Sequence, residues 1–238
     1  VGFERFEVQE RLIGADGQRR LGSARVLVAG VGGLGCAAAA YLTAAGVGSL
    51  RLADGDAVEP SNLGRQILYG DADVGRPKVE AAAARLVAMN PETKVEPFAE
   101  FAGRTNLAGL LDGIDLVVDG TDSLGARRLL NRALVTLGIP VVFGAATGFN
   151  GSVLASVPGG PCFDCVWSEP PEGNCETEGV FGPLVGMVGT AQAGEALRVL
   201  LGRGEKGRLL LVDAQGPEWR TVRVRRRANC PTCGKGGE

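Results

Sequence analysis

Val26-Leu27-Val28-Ala29-Gly30-Val31-Gly32-Gly33-Leu34-Gly35-Cys36 decides how this chain is read. Arg25 to Ala29 is a short, β-branched apolar run that suits a strand buried on both faces, and Leu34 to Ala45 carries Ala and Leu at helical spacing. Between them Gly30, Gly32 and Gly35 spell G-x-G-x-x-G, whose missing side chains permit a tight turn and a close approach of backbone to phosphate. The free N–H groups at the helix start would face the anion, and the helix dipole adds about 0.3–1 kcal/mol. In a chain with 38 glycines the motif alone also fits a simple turn. Its place after a strand and before a helix makes it a nucleotide phosphate seat.

Downstream, Ser49 to Ala53 reads as a second strand ending at Asp54, where folds of this kind hydrogen-bond a ribose hydroxyl. The connection from Gly55 to Gly75 is long and polar, holding Asp56, Asn62, Arg65 and Gln66. Pro77 then opens a helix over Lys78 to Met89, and Thr93 to Phe98 follows as strand three. After a short helix over Asn106 to Asp112, Ile114 to Val118 is strand four. It runs into Asp119-Gly120-Thr121-Asp122 and puts polar groups at the carboxyl edge of the sheet. Arg127 to Leu137 and Pro140 to Gly144 are the next helix and strand.

Beyond Ala145 the βα alternation stops. Gly151 to Val157, Arg208 to Val212 and Glu218 to Val224 read as meandering strands around one long helix, Leu184 to Leu201, with Leu184, Val188, Ala191 and Leu197 toward the core. Pro158 to Gly182 reads as a crossover loop. At the other end, Arg5 to Arg20 is a helical arm with Leu12 and Ile13 as apolar contacts and a break at Gly14 to Gly17. The expected fold is α/β, a Rossmann-like, mostly parallel sheet extended by antiparallel strands with a structural zinc site. It forms one domain of three parts, residues 1–22, 23–145 and 146–238.

Composition narrows the function. With 25 basic and 27 acidic residues the net charge is −2, so no global field recruits nucleic acid or an anionic membrane. No apolar run reaches the roughly 18 residues of a spanning helix, and the first residues lack a signal core, which together predict a cytoplasmic protein. There is no histidine, which excludes serine triads, histidine acid–base chemistry and histidine-ligated metals. Of the six cysteines, Cys162, Cys165, Cys230 and Cys233 form two C-x-x-C pairs that match a tetrahedral structural Zn²⁺. Cys36 reads as a small core residue. Cys175 stands in a loop where its thiol can reach solvent, while nearby acids oppose its ionisation, leaving a covalent role open.

On these residues the chain resembles the ThiF/MoeB/HesA family of adenylyltransferases, relatives of the ubiquitin-activating enzyme. The resemblance runs through Gly32-Gly33-Leu34-Gly35, Asp54, Asn62-x-x-Arg65-Gln66, Gly75-x-x-Lys78, Thr121-Asp122, Cys162-x-x-Cys165, the Cys175 loop, Gln192-Ala193-x-Glu195-Ala196 and Cys230-x-x-Cys233. It implies ATP and Mg²⁺ as cofactors and, as substrate, the C-terminal Gly-Gly of a ubiquitin-like sulfur carrier protein. A homodimer and a sulfurtransferase or cysteine desulfurase are the implied protein partners. Gly148-Phe149-x-Gly151 and the stretch from Pro170 to Cys175 look closer to ThiF, of thiamine synthesis, than to MoeB, of molybdopterin synthesis.

The nucleotide would then rest on Gly32, Gly33, Gly35, Asp54, Asp56, Asn62, Arg65, Gln66, Lys78, Thr121, Asp122 and Ser123. Arg65 and Lys78 would clamp phosphate, Asp122 would hold Mg²⁺, and Cys175 would take the activated carboxyl. Two positions depart from the family pattern. Val8 replaces the arm arginine that in relatives reaches the partner subunit's triphosphate, so either Arg5 or Arg11 substitutes for it or triphosphate binding is weaker. Ser123 replaces the usual asparagine. The glycine motif with Asp54 also fits an NAD-dependent oxidoreductase, and the two departures also fit a silent scaffold for a ubiquitin-like protein.

Overall fold

The structure, a computed structural model, describes residues 3–167, 179–216 and 218–234. Its centre is β1 (Arg25–Ala29), flanked in parallel by β2 (Ser49–Ala53) and β4 (Leu116–Asp119). The sheet of the described residues runs β3-β2-β1-β4-β5-β6-β7-β8, with β3 Lys94–Phe98, β5 Val141–Thr147, β6 Asn150–Ser156, β7 Arg208–Asp213 and β8 Glu218–Arg223. β3 through β5 in that order are parallel, and β6, β7 and β8 add on antiparallel. The chain order reverses direction between β1 and β4, which opens a crevice at their carboxyl ends.

Strand period splits the apolar run between two layers. Val26 and Val28 face α2 (Gly33–Ala44), α3 (Lys78–Met89) and α7 (Gly182–Leu200), together with Leu50, Leu52, Leu116 and Val118. Leu27 and Ala29 face the other way, with Val117, Val141 and Phe143, onto α4 (Leu107–Leu111) and α5 (Leu124–Leu137). Small residues bring α2 and α7 together. A Cβ on Gly189 would lie 2.4 Å from the Leu34 carbonyl oxygen, and one on Gly33 would lie 2.3 Å from Val185 Cγ1. No helix of the described residues is long and apolar enough to cross a membrane.

The structure differs from the sequence reading at several elements. Leu12 does not anchor the arm. It is 81% exposed, and α1 (Glu7–Ser23) docks instead through Gly17, Gln18 and Leu21, after a kink at Gly14 whose φ is +74°. Only glycine adopts that dihedral without strain, so the break falls there. Thr93 precedes β3, because its hydroxyl donates to the Val47 carbonyl 2.9 Å away. β4 starts at Leu116 and reaches Asp119, which pairs with Ala29 and Phe143. The loop from 55 to 75 contains two 3-10 turns, Pro60–Asn62 and Asp71–Asp73, and the stretch from 158 to 182 contains the short α6 (Phe163–Val166).

Candidate functional site

The glycine loop closes the crevice between β1 and β4 from one side. A Cβ on Gly35 would stand 1.9 Å from the Gly30 carbonyl oxygen, so only glycine lets α2 begin this close to the end of β1. Gly30 has φ +85°, and a Cβ there would stand 2.8 Å from the Gly120 carbonyl oxygen. The glycines thus seat the loop against both strand ends.

Polar groups fix the loop from below. The Val31 N–H donates to Asp54 Oδ2 at 2.8 Å, and the Val31 carbonyl accepts from the Tyr69 hydroxyl at 2.7 Å and from the Cys36 thiol at 3.3 Å. Burial pushes the Cys36 thiol up to about 12 and the Tyr69 hydroxyl well above its usual range, so both stay protonated donors. Asp54 is 5% exposed and its Oδ1 accepts from the Asp56 N–H at 2.9 Å. Burial raises its carboxyl pKa against the N–H groups of Asp56 and Val31 and the Lys78 charge. Both of its oxygens therefore already brace backbone.

Around the mouth, Lys78 opens α3 with its ammonium 2.8 Å from Asp56 Oδ2, the lysine buried and the aspartate open to solvent. Asn62 is buried, and its Oδ1 accepts from the Glu59 N–H at 3.2 Å. Arg65 is half-buried and donates to the Ser61 carbonyl at 2.9 Å; among the described residues it has no ion-pair partner. Gln66 is 3% exposed, its Nε2 lies 3.8 Å from where a Gly32 Cβ would be, and its Oε1 has no hydrogen-bond partner among the described residues. α7 reaches the same place, since a Cβ on Gly182 would stand 2.9 Å from the Gly64 carbonyl oxygen.

Across the crevice, the turn after β4 carries Thr121, Asp122 and Ser123. Asp122 is exposed and has no hydrogen bond or ion pair with the described residues. Ser123 caps α5, its Oγ accepting from the Ala126 N–H at 3.4 Å, so the replacement of asparagine keeps a good N-cap. Sequence reasoning assigned no role to Asp119, Arg127 or Tyr69, which hold the site from behind. Their signal was weak: one acid at a strand end, one arginine among many, and one tyrosine in a loop.

The two C-x-x-C pairs meet. The sulfurs of Cys162, Cys165, Cys230 and Cys233 lie within 4.8 Å of one another, with Cys162 to Cys230 at 3.5 Å and Cys165 to Cys233 at 3.4 Å. Four thiolates about 2.3 Å from a tetrahedral Zn²⁺ stand about 3.8 Å apart, so this donor set fits zinc. Burial raises the Cys162 and Cys165 thiols, a penalty that metal ligation would reverse. Around them Asn131 donates to Cys162 Sγ at 3.6 Å and to Asp164 Oδ2 at 3.0 Å, and the Arg227 N–H donates to Cys165 Sγ at 3.4 Å. These partners orient the sulfurs as outer-shell groups do at metal sites.

The arm's arginines are engaged within the chain. Arg5 Nη1 donates to the Met89 carbonyl at 2.7 Å, and Arg11 pairs with Glu7 at 2.5 Å. Cys175 lies outside the described residues.

The ThiF family model matches residues 6–232. The chain is 46% identical over 231 residues to a SAMP-activating enzyme E1 of Haloferax volcanii, covering 94% of this chain and 86% of that one. It is 40% identical over 239 residues to the sulfur carrier protein ThiS adenylyltransferase of Escherichia coli, covering 98% and 95%. Among solved structures, one of E. coli MccB with MccA-N7isoAsn superposes with a TM-score of 0.85 at 21% identity, over 99% of this chain and 75% of that one, and so shares its fold. The glycine loop, the clustered cysteines and this likeness along nearly the whole chain lead to one conclusion: the chain belongs to the ThiF family of adenylyltransferases.

Proposed function

We propose that this protein uses ATP to adenylylate the C-terminal Gly-Gly carboxylate of a ubiquitin-like sulfur carrier, releasing pyrophosphate. What supports the reading is the glycine loop seated against the ends of β1 and β4, with Gln66 Nε2 3.8 Å from a Gly32 Cβ position, the Arg65 carbonyl oxygen 3.6 Å from a Gly33 Cβ position, and the buried Gln66 Oε1 without a hydrogen-bond partner among the described residues. Relatives whose names state carrier or SAMP activation support the same substrate class. A ThiS-like carrier is favoured over a MoaD-like one on Gly148-Phe149-Asn150-Gly151.

The carrier's carboxylate is ionised at neutral pH and attacks the α-phosphorus without a general base, which suits a chain with no histidine. The site's task is in-line placement and neutralisation of a polyanion. The loop N–H groups at Gly32, Gly33 and Gly35 receive phosphate oxygens, with Asn62 orienting them. Arg65, which pairs with no carboxylate among the described residues, serves as the clamp, and Lys78 exchanges its hold on Asp56 for phosphate. Asp54 and Asp56 stand toward the ribose, with Gln66, Thr121 and Ser123 at the rim. Asp122 presents carboxylate oxygens that are unpaired among the described residues, the donors a hard cation takes, and would hold Mg²⁺. Mg²⁺ supplies charge neutralisation on the phosphates.

Cys175 is the proposed acceptor of the activated carboxyl, its thiolate forming a thioester as the acyl–phosphate bond breaks and AMP leaves, with a sulfurtransferase or cysteine desulfurase as sulfur source. A homodimer would cover Val8 and Leu12, which are 76% and 81% exposed on α1. The reaction belongs in the cytoplasm, where ATP is abundant. Carrier-dependent exchange of labelled pyrophosphate into ATP tests the reading. Asp122→Ala and Arg65→Ala should each slow it on the order of 10²-fold with the fold intact; unchanged rates would remove these residues from the chemistry. Full sulfur transfer by Cys175→Ser would remove the covalent step.

A further inference from the structure

Asp119 and Arg127 form a buried ion pair that the chemistry above does not use. Asp119 is fully buried at the end of β4, and Arg127 Nε lies 3.4 Å from its Oδ2, which makes no hydrogen bond among the described residues. Asp119 Oδ1 accepts from both the N–H and the hydroxyl of Thr121, at 3.1 Å and 2.7 Å. The guanidinium of Arg127 donates through Nη2 to the carbonyls of Thr121, at 2.5 Å, and Gly144, at 2.8 Å. Behind them Gln192, also fully buried, donates to the carbonyls of Asp119, at 2.7 Å, and Val142, at 3.0 Å. These bonds end on Asp119 at the end of β4, on Thr121 in the turn that carries Asp122, and on Val142 and Gly144 of the neighbouring β5.

A pair buried this deeply is a poor source of stability, because apolar side chains of similar volume usually do as well. What it does supply is a fixed conformation. The planar fork of Arg127 places Nε beside Asp119 Oδ2 and, at 3.1 Å, the Thr121 carbonyl while Nη2 reaches the Thr121 and Gly144 carbonyls, a two-nitrogen arrangement that a single ammonium nitrogen does not reproduce. The turn it holds abuts the glycine loop, since a Cβ on Gly120 would stand 3.1 Å from the Gly35 nitrogen. We propose that Arg127, working through Asp119, is a positioning residue that sets the Asp122 carboxylate against the triphosphate seat. The proposal rests on the reading that Asp122 serves ATP through Mg²⁺.

A double-mutant cycle separates the two claims. Arg127→Lys keeps the charge beside Asp119 and gives up the fork. It should lower pyrophosphate exchange and raise the half-saturating Mg²⁺ concentration, each about tenfold, with zinc content and Tm near those of the native protein. In the Asp122→Ala background the same substitution should cost nothing further, because the group it positions is gone. Asp119→Asn, which preserves shape, should give the same pattern and serves if Arg127→Lys folds poorly. Native Mg²⁺ dependence in both single variants, or costs that simply multiply in the cycle, would overturn the positioning role. An Asp122→Ala protein with native exchange would instead overturn the reading beneath it.

Discussion

Gly35→Ala offers a perturbation whose size can be read from the fold. The added Cβ would sit 1.9 Å from the Gly30 carbonyl oxygen, whereas real Cβ atoms essentially never come closer than 3.0 Å. The start of α2 must therefore withdraw from the end of β1 by about 1 Å, and it is backbone on both sides that has to give. α2 has no free space behind it, since Gly189 of α7 already lets the Leu34 carbonyl come within 2.4 Å of a Cβ position. Such overpacking costs about 1–3 kcal/mol of stability. A 1 Å displacement of the phosphate seat should slow the reaction on the order of 10²-fold. Urea unfolding and carrier-dependent pyrophosphate exchange measure the two effects. Gly109→Ala is the control: nothing lies within 4 Å of its Cβ, it sits in α4, and it should stabilise by about 0.5–1 kcal/mol without touching the rate. A Gly35→Ala protein as stable and as fast as the native one would refute the steric argument.

Stripping metal from the cysteine cluster, or replacing Cys230 by serine, should lower Tm by more than about 5 °C while exchange per folded molecule stays within about twofold. An unchanged Tm after confirmed metal loss would deny the cluster its structural role. Burial lifts the Asp54 carboxyl above its ordinary value of 3.8, so the stability tied to its neutral form is complete below that value and is lost as pH rises through the folded one. Asp54→Asn should therefore gain on the native protein in urea midpoint as pH rises above 3.8, whatever constant offset its altered hydrogen bonds impose. A difference that does not move with pH would show no such coupling. Ser123→Ala should cost about 1 kcal/mol through loss of the α5 cap and leave the Mg²⁺ dependence native; a shifted Mg²⁺ dependence would mean that Ser123 helps hold the metal rather than only standing at the rim.

The centre of the parallel half of the sheet was legible because β1 and β4 are apolar on both faces and Gly30 and Gly120 mark their ends. Val26 and Val28 go to one layer, Leu27 and Ala29 to the other, and a period-2 run is enough to say so. The cysteine cluster was legible for a similar reason, since two C-x-x-C pairs leave few alternatives once disulfides are set aside. Leu12 misled because an apolar residue on a short helix does not announce whether anything covers it, and in this chain nothing among the described residues does. Asp54 shows a different limit. Its position at the end of β2 follows from spacing, but that its oxygens turn to the Val31 N–H beyond the neighbouring strand and to the Asp56 N–H two residues on is a side-chain orientation that spacing does not give. The Asp119–Arg127 pair could not be read at all, since an i, i+8 pairing across a strand end and a helix has no sequence period. Ser123, a departure as a motif letter, is an ordinary helix cap in space.

The central claim is that phosphate is neutralised at the carboxyl edge of β1 and β4, and a crystal structure with a non-hydrolysable ATP analogue and Mg²⁺ tests it most directly. The account predicts the triphosphate against the backbone of Gly33, with Arg65 and Lys78 turned onto its oxygens and the metal on Asp122. Phosphates bound away from these four residues would contradict it.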